Sequence, residues 1–347
     1  MIAEIMKAKG GARAIATMTY DDGLKNTALT LDELCEKYGC RATLALTTHR
    51  LNDETVGFWR DIFRRGRLVP MSHSTTHAYL TKSHPENLTE EMITSEIEGS
   101  LETLKKYFPE YHVLSFALPY GSYAEEAFEH LYKSVYLSRA GVCRLYNESH
   151  RGMMQSLDPI PGSNKAGGWY APVGVRMMPE KPIYTMITPE ALIEYLDDCV
   201  RDGGWFLSTA HGIVEGENLD IKVEDLERIM KRMREHADRG DLWIADVNEV
   251  TKYIRERQNT EITVEGEGDD YTVTLAMAEM TADNLPLPTE IFNYPLTVRL
   301  ELPDNAKCVS YTKGGEEYIS DSFSLDGKTY AYIEMKPNET SEVAIAY

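Results

Sequence analysis

Hydrophobic and polar residues follow two different periods over the first 258 residues. Short apolar runs are followed by longer stretches in which apolar residues recur every three to four positions. The short runs are typical of buried strands and the longer stretches of amphipathic helices. The predicted strands span 14–19, 42–47, 68–71, 113–118, 135–138, 205–210 and 242–245.

Helices are predicted between these strands, and several have recognisable ends. Gly39 stops one over 26–38, and Thr89 caps another over 89–108. Further helices are predicted over 124–133, 223–239 and 247–257, with one that ends near Gly66 and one that starts at Thr188 and Pro189. Repeated strand–helix units indicate a parallel sheet or barrel with both faces covered.

The pattern changes at about residue 259. From there to residue 347, runs rich in Thr, Val and Tyr alternate with a period of two and are separated by Gly, Asp, Asn and Pro turns. These runs span 271–276, 296–302, 330–335 and 342–347. They predict a small all-β domain that resembles a sandwich. We therefore expect two domains, over 1–258 and 259–347.

Charge narrows the range of partners. The formal net charge is −20, and residues 259–347 alone carry 17 acidic and 5 basic side chains. Such a surface repels phosphate backbones and anionic lipid, so we expect neither nucleic acid nor a membrane surface as a partner. The five cysteines are scattered without zinc or redox spacing, which favours buried thiols.

Residues 1–10 lack an apolar run of the length found in signal peptides, so no signal peptide is expected there, and no stretch has the length and apolarity expected of a membrane span. The location expected from this is cytoplasmic for a complete chain and periplasmic or secreted if a leader was removed. The oligomeric state is left open.

Adjacent carboxylates follow the first predicted strand, at Asp21 and Asp22. One could ligate a metal while the other acts as a base on water. Because Asp-Gly is a common turn pair, a solvated turn is the favoured interpretation of this segment alone. Two histidines four residues apart, His73 and His77, follow the third strand and could chelate a metal across one helical turn.

Two further segments follow strands. Tyr120 lies in Leu-Pro-Tyr-Gly, where a backbone N–H could face a developing oxyanion, although a structural turn is the simpler interpretation. His211 follows the strand over 205–210 and could protonate a leaving group, although a lone histidine is more often structural. In α/β barrels the carboxyl ends of the strands share one face, so all four segments are expected to converge.

This ordered set of motifs resembles the polysaccharide deacetylase family, which is carbohydrate esterase family four. The motifs are Thr-Tyr-Asp-Asp-Gly at 19–23, His-Ser-Thr-Thr-His at 73–77, Leu-Pro-Tyr-Gly at 118–121 and the late His211. The resemblance covers about residues 10–258. It implies an α/β fold, a distorted (β/α)7-type barrel, followed here by the all-β domain.

The resemblance also implies site residues. Asp22, His73 and His77 would bind one divalent cation, zinc, with cobalt or nickel as substitutes. Of the remaining residues, Asp21 would be the catalytic base and His211 the general acid, and the backbone N–H of Tyr120 would help to hold the oxyanion.

The chain departs from the family pattern at two motifs. The third motif often begins with an arginine that tunes the base, and Ala117 stands there. Arg139, at another strand end, could supply that charge, but a surface position is the favoured interpretation. The Asp-rich fourth motif is not evident, and Asp246 with Glu249 has the spacing of a capping box rather than of a site.

The expected activity is hydrolysis of N- or O-acetyl groups on a polysaccharide or oligosaccharide, with an acetylated glycan as the partner. Trp169 and Tyr170, in a loop-rich stretch over 143–187, could stack on a sugar or pack in the core. The alternatives are a carbohydrate-binding protein with a degenerate site and an amidase acting on a small non-sugar substrate.

Overall fold

The computed structural model describes residues 1–81, 88–121, 125–139, 155–156, 169–170, 173–174, 188–217, 220–281 and 284–347. The helices are α1 Lys25–Tyr38, α2 Val56–Arg64, α3 Glu90–Tyr107, α4 Glu125–Ser134, α5 Pro189–Asp202, α6 Val223–Asp238 and α7 Val247–Gln258. The strands of the first part of the chain are β1 Ile2–Ile5, β2 Ala14–Tyr20, β3 Ala42–Leu46, β4 Leu68–Ser72, β5 Ser115–Ala117, β6 Leu137–Arg139, β7 Gln155–Ser156, β8 Trp169–Tyr170, β9 Val173–Gly174, β10 Gly204–Ala210 and β11 Leu242–Ile244. Those of the last part are β12 Thr260–Glu267, β13 Asp270–Met277, β14 Leu296–Leu302, β15 Cys308–Lys313, β16 Glu316–Asp321, β17 Phe323–Leu325, β18 Lys328–Met335 and β19 Thr340–Ala346.

A parallel half-barrel sheet organises the unit formed by residues 13–251. Its parallel strands run in the order β10-β2-β3-β4-β5-β6-β8, with β11 also paired to β2, β9 to β10 and β7 antiparallel to β10. Every residue of β2, β3, β4 and β10 is buried. This is the pattern of central strands covered by helices on both faces. The predicted fold class, α/β with a following all-β part, is confirmed.

The predicted helix ends are confirmed where the caps are local. Gly39 ends α1 with φ of 60°, a left-handed conformation that glycine adopts without strain. Thr89 accepts a hydrogen bond from Met92 N at 3.2 Å at the start of α3, and Thr188 does the same for Ala191 N at the start of α5. These side chains satisfy N–H groups that the first helical turn leaves without a partner.

The second unit contains two antiparallel sheets, and it includes the amino terminus of the chain. It combines residues 1–12 with residues 252–347. One antiparallel sheet has the order β1-β14-β18-β17 and the other β12-β13-β19-β15-β16. The predicted boundaries placed residues 1–12 in the first domain, and the structure differs because β1 pairs with β14, from Ile2 opposite Glu301 to Ile5 opposite Val298. A strand of four residues is too short for its hydrophobic pattern to predict pairing with a strand so distant in sequence.

Within the described ranges, no helix combines the length and apolarity needed to cross a membrane. The described cysteines have free thiols, and Cys35, Cys40 and Cys199 are buried, as expected, whereas Cys308 is half-buried.

Candidate metal and catalytic site

Three predicted ligands meet at the carboxyl ends of β2 and β4. Asp22 Oδ1 lies 3.7 Å from His73 Nε2 and 3.5 Å from His77 Nε2. The two Nε2 atoms are 3.1 Å apart. In four-coordinate zinc sites neighbouring ligand atoms are separated by about 3 to 3.5 Å. Among the described residues, Asp22, His73 and His77 form the one group of three or more potential ligands whose atoms lie close enough together to hold a metal ion.

The histidines meet through a loop rather than across the helical turn that their spacing suggested. Ser74 and His77 have φ values of 64° and 67°, outside the conformations of a right-handed helix. Glu96, on α3, holds the loop by accepting hydrogen bonds from Thr76 N at 2.8 Å and from Thr76 Oγ1 at 2.6 Å. Such left-handed residues persist where surrounding contacts determine the backbone.

The protonation of His73 suits metal binding. Its Nδ1–H donates to the carbonyl of Ala117 at 2.8 Å, which leaves Nε2 facing the other ligands. Burial lowers the pKa of His73, and burial also lowers that of His77. Neutral imidazoles with one nitrogen held by a backbone carbonyl are the form in which histidine ligates metals.

Asp21 is paired with Arg139, which corrects the expectation of a surface arginine. Arg139 is 4% exposed, donates to Asp21 Oδ1 through one guanidinium nitrogen, and donates to Thr209 Oγ1 at 2.6 Å through the other. Burial would raise the pKa of Asp21, but the charges of Arg139 and His73 and the Arg139 hydrogen bond hold it well below its usual range. Arg139 thus supplies beside Asp21 the positive charge that Ala117 cannot supply.

His211 is oriented by Asp220, a residue that sequence reasoning missed. The Oδ2 atom of Asp220 accepts hydrogen bonds from the backbone N–H of His211 at 2.7 Å and from its Nδ1 at 2.6 Å. Burial lowers the pKa of His211, but the hydrogen bond to Asp220 and the charge of Asp21 raise it above its usual value. This arrangement favours a protonated imidazole.

Tyr120 lies beside the cluster in an unusual backbone conformation. Its φ is 57° and the residue is 55% exposed. The ring stacks on Tyr79, with centroids 3.7 Å apart and planes within 5°, and its centroid lies 4.5 Å from that of His77. The rings of Tyr79 and His77 thus lie against the ring of Tyr120.

The other predicted residues have separate outcomes. Trp169 and Tyr170 form β8, paired with Ser138 and Arg139 of β6, while their side chains lie outside the described residues. The capping box is confirmed, because Glu249 N donates to Asp246 Oδ1 at 2.9 Å and Asp246 N donates to Glu249 Oε2 at 3.2 Å. Asp246 therefore stays out of the site.

The parallel sheet covered by helices makes this an α/β protein. Two aspartates and three histidines lie at the carboxyl ends of its strands, the position typical of active sites in α/β enzymes. Sequence comparison names the family. Residues 8–136 match the family described as polysaccharide deacetylase. This segment, which contains the first three motifs, belongs to that family.

Individual relatives are distant. A gellan lyase from Bacillus sp. is 23% identical over 346 residues, an alignment that covers 94% of this chain and 12% of that protein. The chain thus spans about an eighth of the length of this curated relative.

Solved structures are similar at low identity. A family 4 acetyl xylan esterase from Clostridium thermocellum, in complex with cobalt, has 16% identity and a TM-score of 0.41 over 68% of this chain and 89% of that one. A peptidoglycan deacetylase from Bacillus subtilis has 16% identity and a TM-score of 0.40 over 70% and 92%.

Proposed function

We propose that this protein is a metal-dependent hydrolase that removes acetyl groups from a polysaccharide or oligosaccharide. The observation that carries the proposal is that Asp21 and His211, whose pKa values are shifted in opposite directions, lie beside the ligand cluster of Asp22, His73 and His77. Asp21, paired with Arg139, lies with its Oδ2 4.0 Å from His73 Nε2, and the charges of Asp21 and Asp22 act on His211. A carboxylate kept ionised and an imidazole kept protonated are the base and acid that hydrolysis needs.

The ligand set Asp22, His73 and His77 would hold a divalent cation, with zinc as the proposed ion and cobalt or nickel as substitutes. When bound, such an ion supplies Lewis-acid polarisation of a carbonyl and lowers the pKa of water. The Ala117 carbonyl keeps the proton of His73 on Nδ1. Glu96 keeps the His73–His77 loop closed on α3.

Three residues would carry the proton transfers and the charge. Asp21 would take the proton of the attacking water, with Arg139 holding the carboxylate in place. His211 would protonate the departing alcohol or amine through Nε2, because Asp220 holds Nδ1. The backbone N–H of Tyr120 would face the oxyanion, because Tyr120 lies beside His77.

The substrate class is proposed as an acetylated glycan. The stack of the half-buried Tyr79 and the exposed Tyr120 offers an aromatic surface next to the ligands, and aromatic rings suit the apolar faces of sugars. Family membership of residues 8–136 supports a polysaccharide, and the name of the distant relative adds gellan to the candidates. The choice between an N-acetyl amide and an O-acetyl ester is left to experiment.

Acetate release tests the proposal. The full chain is incubated with acetylated xylan, chitooligosaccharides, peptidoglycan, acetylated gellan and a small aryl acetate, each with and without a chelator. We expect acetate from at least one glycan and its loss with chelator. Metal retention without acetate release from any glycan would instead support the carbohydrate-binding alternative, and turnover of the aryl acetate alone would favour a small-substrate hydrolase.

Metal content separates the ligands from the proton-transfer groups. Asp22→Ala is expected to lose the metal, because a three-ligand site has no spare protein ligand. Asp21→Asn and His211→Ala should each retain metal close to wild type and lower turnover by about 100-fold or more. Metal analysis of the purified variants makes the comparison, and loss of metal in Asp21→Asn would contradict the division of roles between the two aspartates.

A further inference from the structure

The first turn of α1 is capped by a glutamate from a distant loop. Glu217 Oε1 accepts a hydrogen bond from Asn26 N at 3.0 Å, and Glu217 Oε2 accepts one from Thr27 N at 2.7 Å. Leu24 precedes the helix, and its side chain cannot accept a hydrogen bond. α1 therefore takes from Glu217 the acceptors that an N-cap residue supplies in α3 and α5.

A second hydrogen bond joins the same two segments. Ile213 N donates to Thr27 Oγ1 at 3.1 Å. Ile213 and Glu217 both belong to the His211 loop, residues 211–217, and Asp220 N donates to the Gly212 carbonyl of this loop at 2.8 Å. Two points of this loop are thus bonded to one helical turn.

These contacts join the His211 loop to α1, the helix that directly follows the Asp21 loop, residues 21–24. Asp22 and Gly23, between β2 and α1, have φ values of 70° and 63°, so this connection turns sharply before α1 begins. The sheet aligns the neighbouring loop as far as Ala210, whose carbonyl accepts from Asp21 N at 2.9 Å. Beyond that bond, the hydrogen bonds of Glu217 and Thr27 hold the His211 loop against α1, together with the burial of Ile213 in the core.

We propose that Glu217 is a positioning residue that locks the His211 loop to α1 and thereby sets the place of His211 relative to Asp21. The inference rests on the proposed function. Glu217 acts through Asn26, Thr27 and Ile213 rather than by touching a reacting group. Since small displacements of catalytic groups lower turnover strongly, loss of the lock should affect the chemical step more than substrate binding.

The competing explanation is a helix cap that contributes only to stability. Thr89 provides the matched control, because it caps α3 from its own segment by accepting from Met92 N. Glu217→Ala and Thr89→Ala each remove a cap, but only Glu217→Ala removes contacts between the His211 loop and a helix. Glu217→Gln keeps one carbonyl oxygen and can therefore retain one of the two hydrogen bonds.

Steady-state kinetics on the metal-loaded full chain tests the lock. Glu217→Ala should lower kcat about tenfold or more with KM changed less than twofold, and Glu217→Gln should fall between it and wild type. Thr89→Ala should leave kcat within twofold of wild type at a similar loss of Tm. Thr27→Val should also lower kcat. In the double variant with Glu217→Ala, the fold-decrease in kcat should be smaller than the product of the two single decreases, because both changes break the same connection.

Hydrogen exchange gives a readout that does not depend on catalysis. Amides of residues 211–217 and 24–28 should both exchange faster in Glu217→Ala and remain protected in Thr89→Ala. Unchanged exchange in Glu217→Ala, or equal kcat values for Glu217→Ala and Thr89→Ala, would overturn the proposal. A wild-type chain that releases no acetate would overturn the proposed function instead, and the exchange comparison would still decide whether Glu217 holds the loop.

Discussion

At the scale of single residues, Arg139 compensates the charge of the buried Asp21. Arg139→Met would leave a buried carboxylate without its partner. We expect the unfolding free energy to fall by about 3 to 5 kcal/mol and turnover to be lost, because an uncompensated buried charge is costly. Thermal unfolding and acetate release measure the two effects.

Arg64 provides the control for this change. Its ion pair with Asp61 spans 3.8 Å between exposed side chains, so Arg64→Met should alter stability by less than about 0.5 kcal/mol. Arg139→Lys keeps the charge but not the planar fork that reaches both Asp21 and Thr209, so it should rescue stability only in part. Wild-type stability in Arg139→Met would show that Asp21 does not need the pair.

The second prediction at this scale concerns the pH dependence of activity. Asp220 raises the pKa of His211, so His211 stays protonated to a higher pH than an ordinary histidine. Asp220→Asn removes the charge and should lower that pKa. The alkaline limb of the kcat/KM profile should then move to lower pH, with activity about tenfold below wild type on the alkaline side.

Asp225→Asn is the matched control, because Asp225 pairs with Arg228 on α6 at 3.3 Å. The pH profile of Asp225→Asn should superimpose on that of wild type. An alkaline limb that stays in place in Asp220→Asn would mean that another group titrates there.

At the scale of elements, α7 contains a buried acid that makes stability depend on pH. Glu256 is fully buried and accepts from Tyr294 N at 3.0 Å. Burial raises its pKa from 4.5 to about 8. Because the folded state binds the proton more tightly, the contribution of Glu256 to stability is present below pH 4.5 and is lost as the pH rises towards about 8.

Glu256→Gln should remove this dependence. At pH 8 the variant should be more stable than wild type by on the order of 2 kcal/mol, and the difference should shrink towards pH 5. Denaturant unfolding between pH 5 and 8 measures it, with the exposed Glu261→Gln as a control that should follow wild type. A constant difference across this range would contradict a titrating Glu256.

The elements themselves were predicted well wherever their determinants are local. The strands β2, β3 and β10 follow their apolar runs, and the caps at Thr89 and Thr188 lie where the sequence indicates helix starts. The helical geometry expected for His73 and His77 was wrong, because Glu96 and the sheet edge hold a left-handed loop there. Spacing along a chain suggests proximity but does not determine backbone conformation.

At the scale of the whole molecule, the amino terminus belongs to the all-β unit. Met6 N donates to the Thr297 carbonyl at 2.8 Å, and the Met6 carbonyl accepts from Tyr253 Oη at 2.9 Å. Deleting residues 2–6 would leave the edge of β14 unpaired. We expect faster hydrogen exchange over 296–302, because these backbone groups lose their partners, and unchanged exchange over 204–210 in the other unit.

Replacing the exposed Ile2 by Ser controls for the loss of the side chain alone, and it should leave exchange over 296–302 close to wild type. Equal exchange of 296–302 in the deletion variant and wild type would show that β14 does not depend on β1.

The sequence alone determined the order of strands and helices, the all-β character of residues 259–347 and the identities of Asp21, Asp22, His73, His77 and His211 as candidates. These features depend on periodicity and on motifs a few residues long. Only the tertiary structure decided that Arg139 faces Asp21, that Asp220 and Glu217 organise the His211 loop, and that β1 joins β14. Most of these partners lie far apart in sequence, 118 residues for Arg139 and Asp21 and 190 for Glu217 and Thr27, whereas Asp220 lies 9 residues from His211. Their meeting depends on sheet order and loop path, which no local pattern encodes.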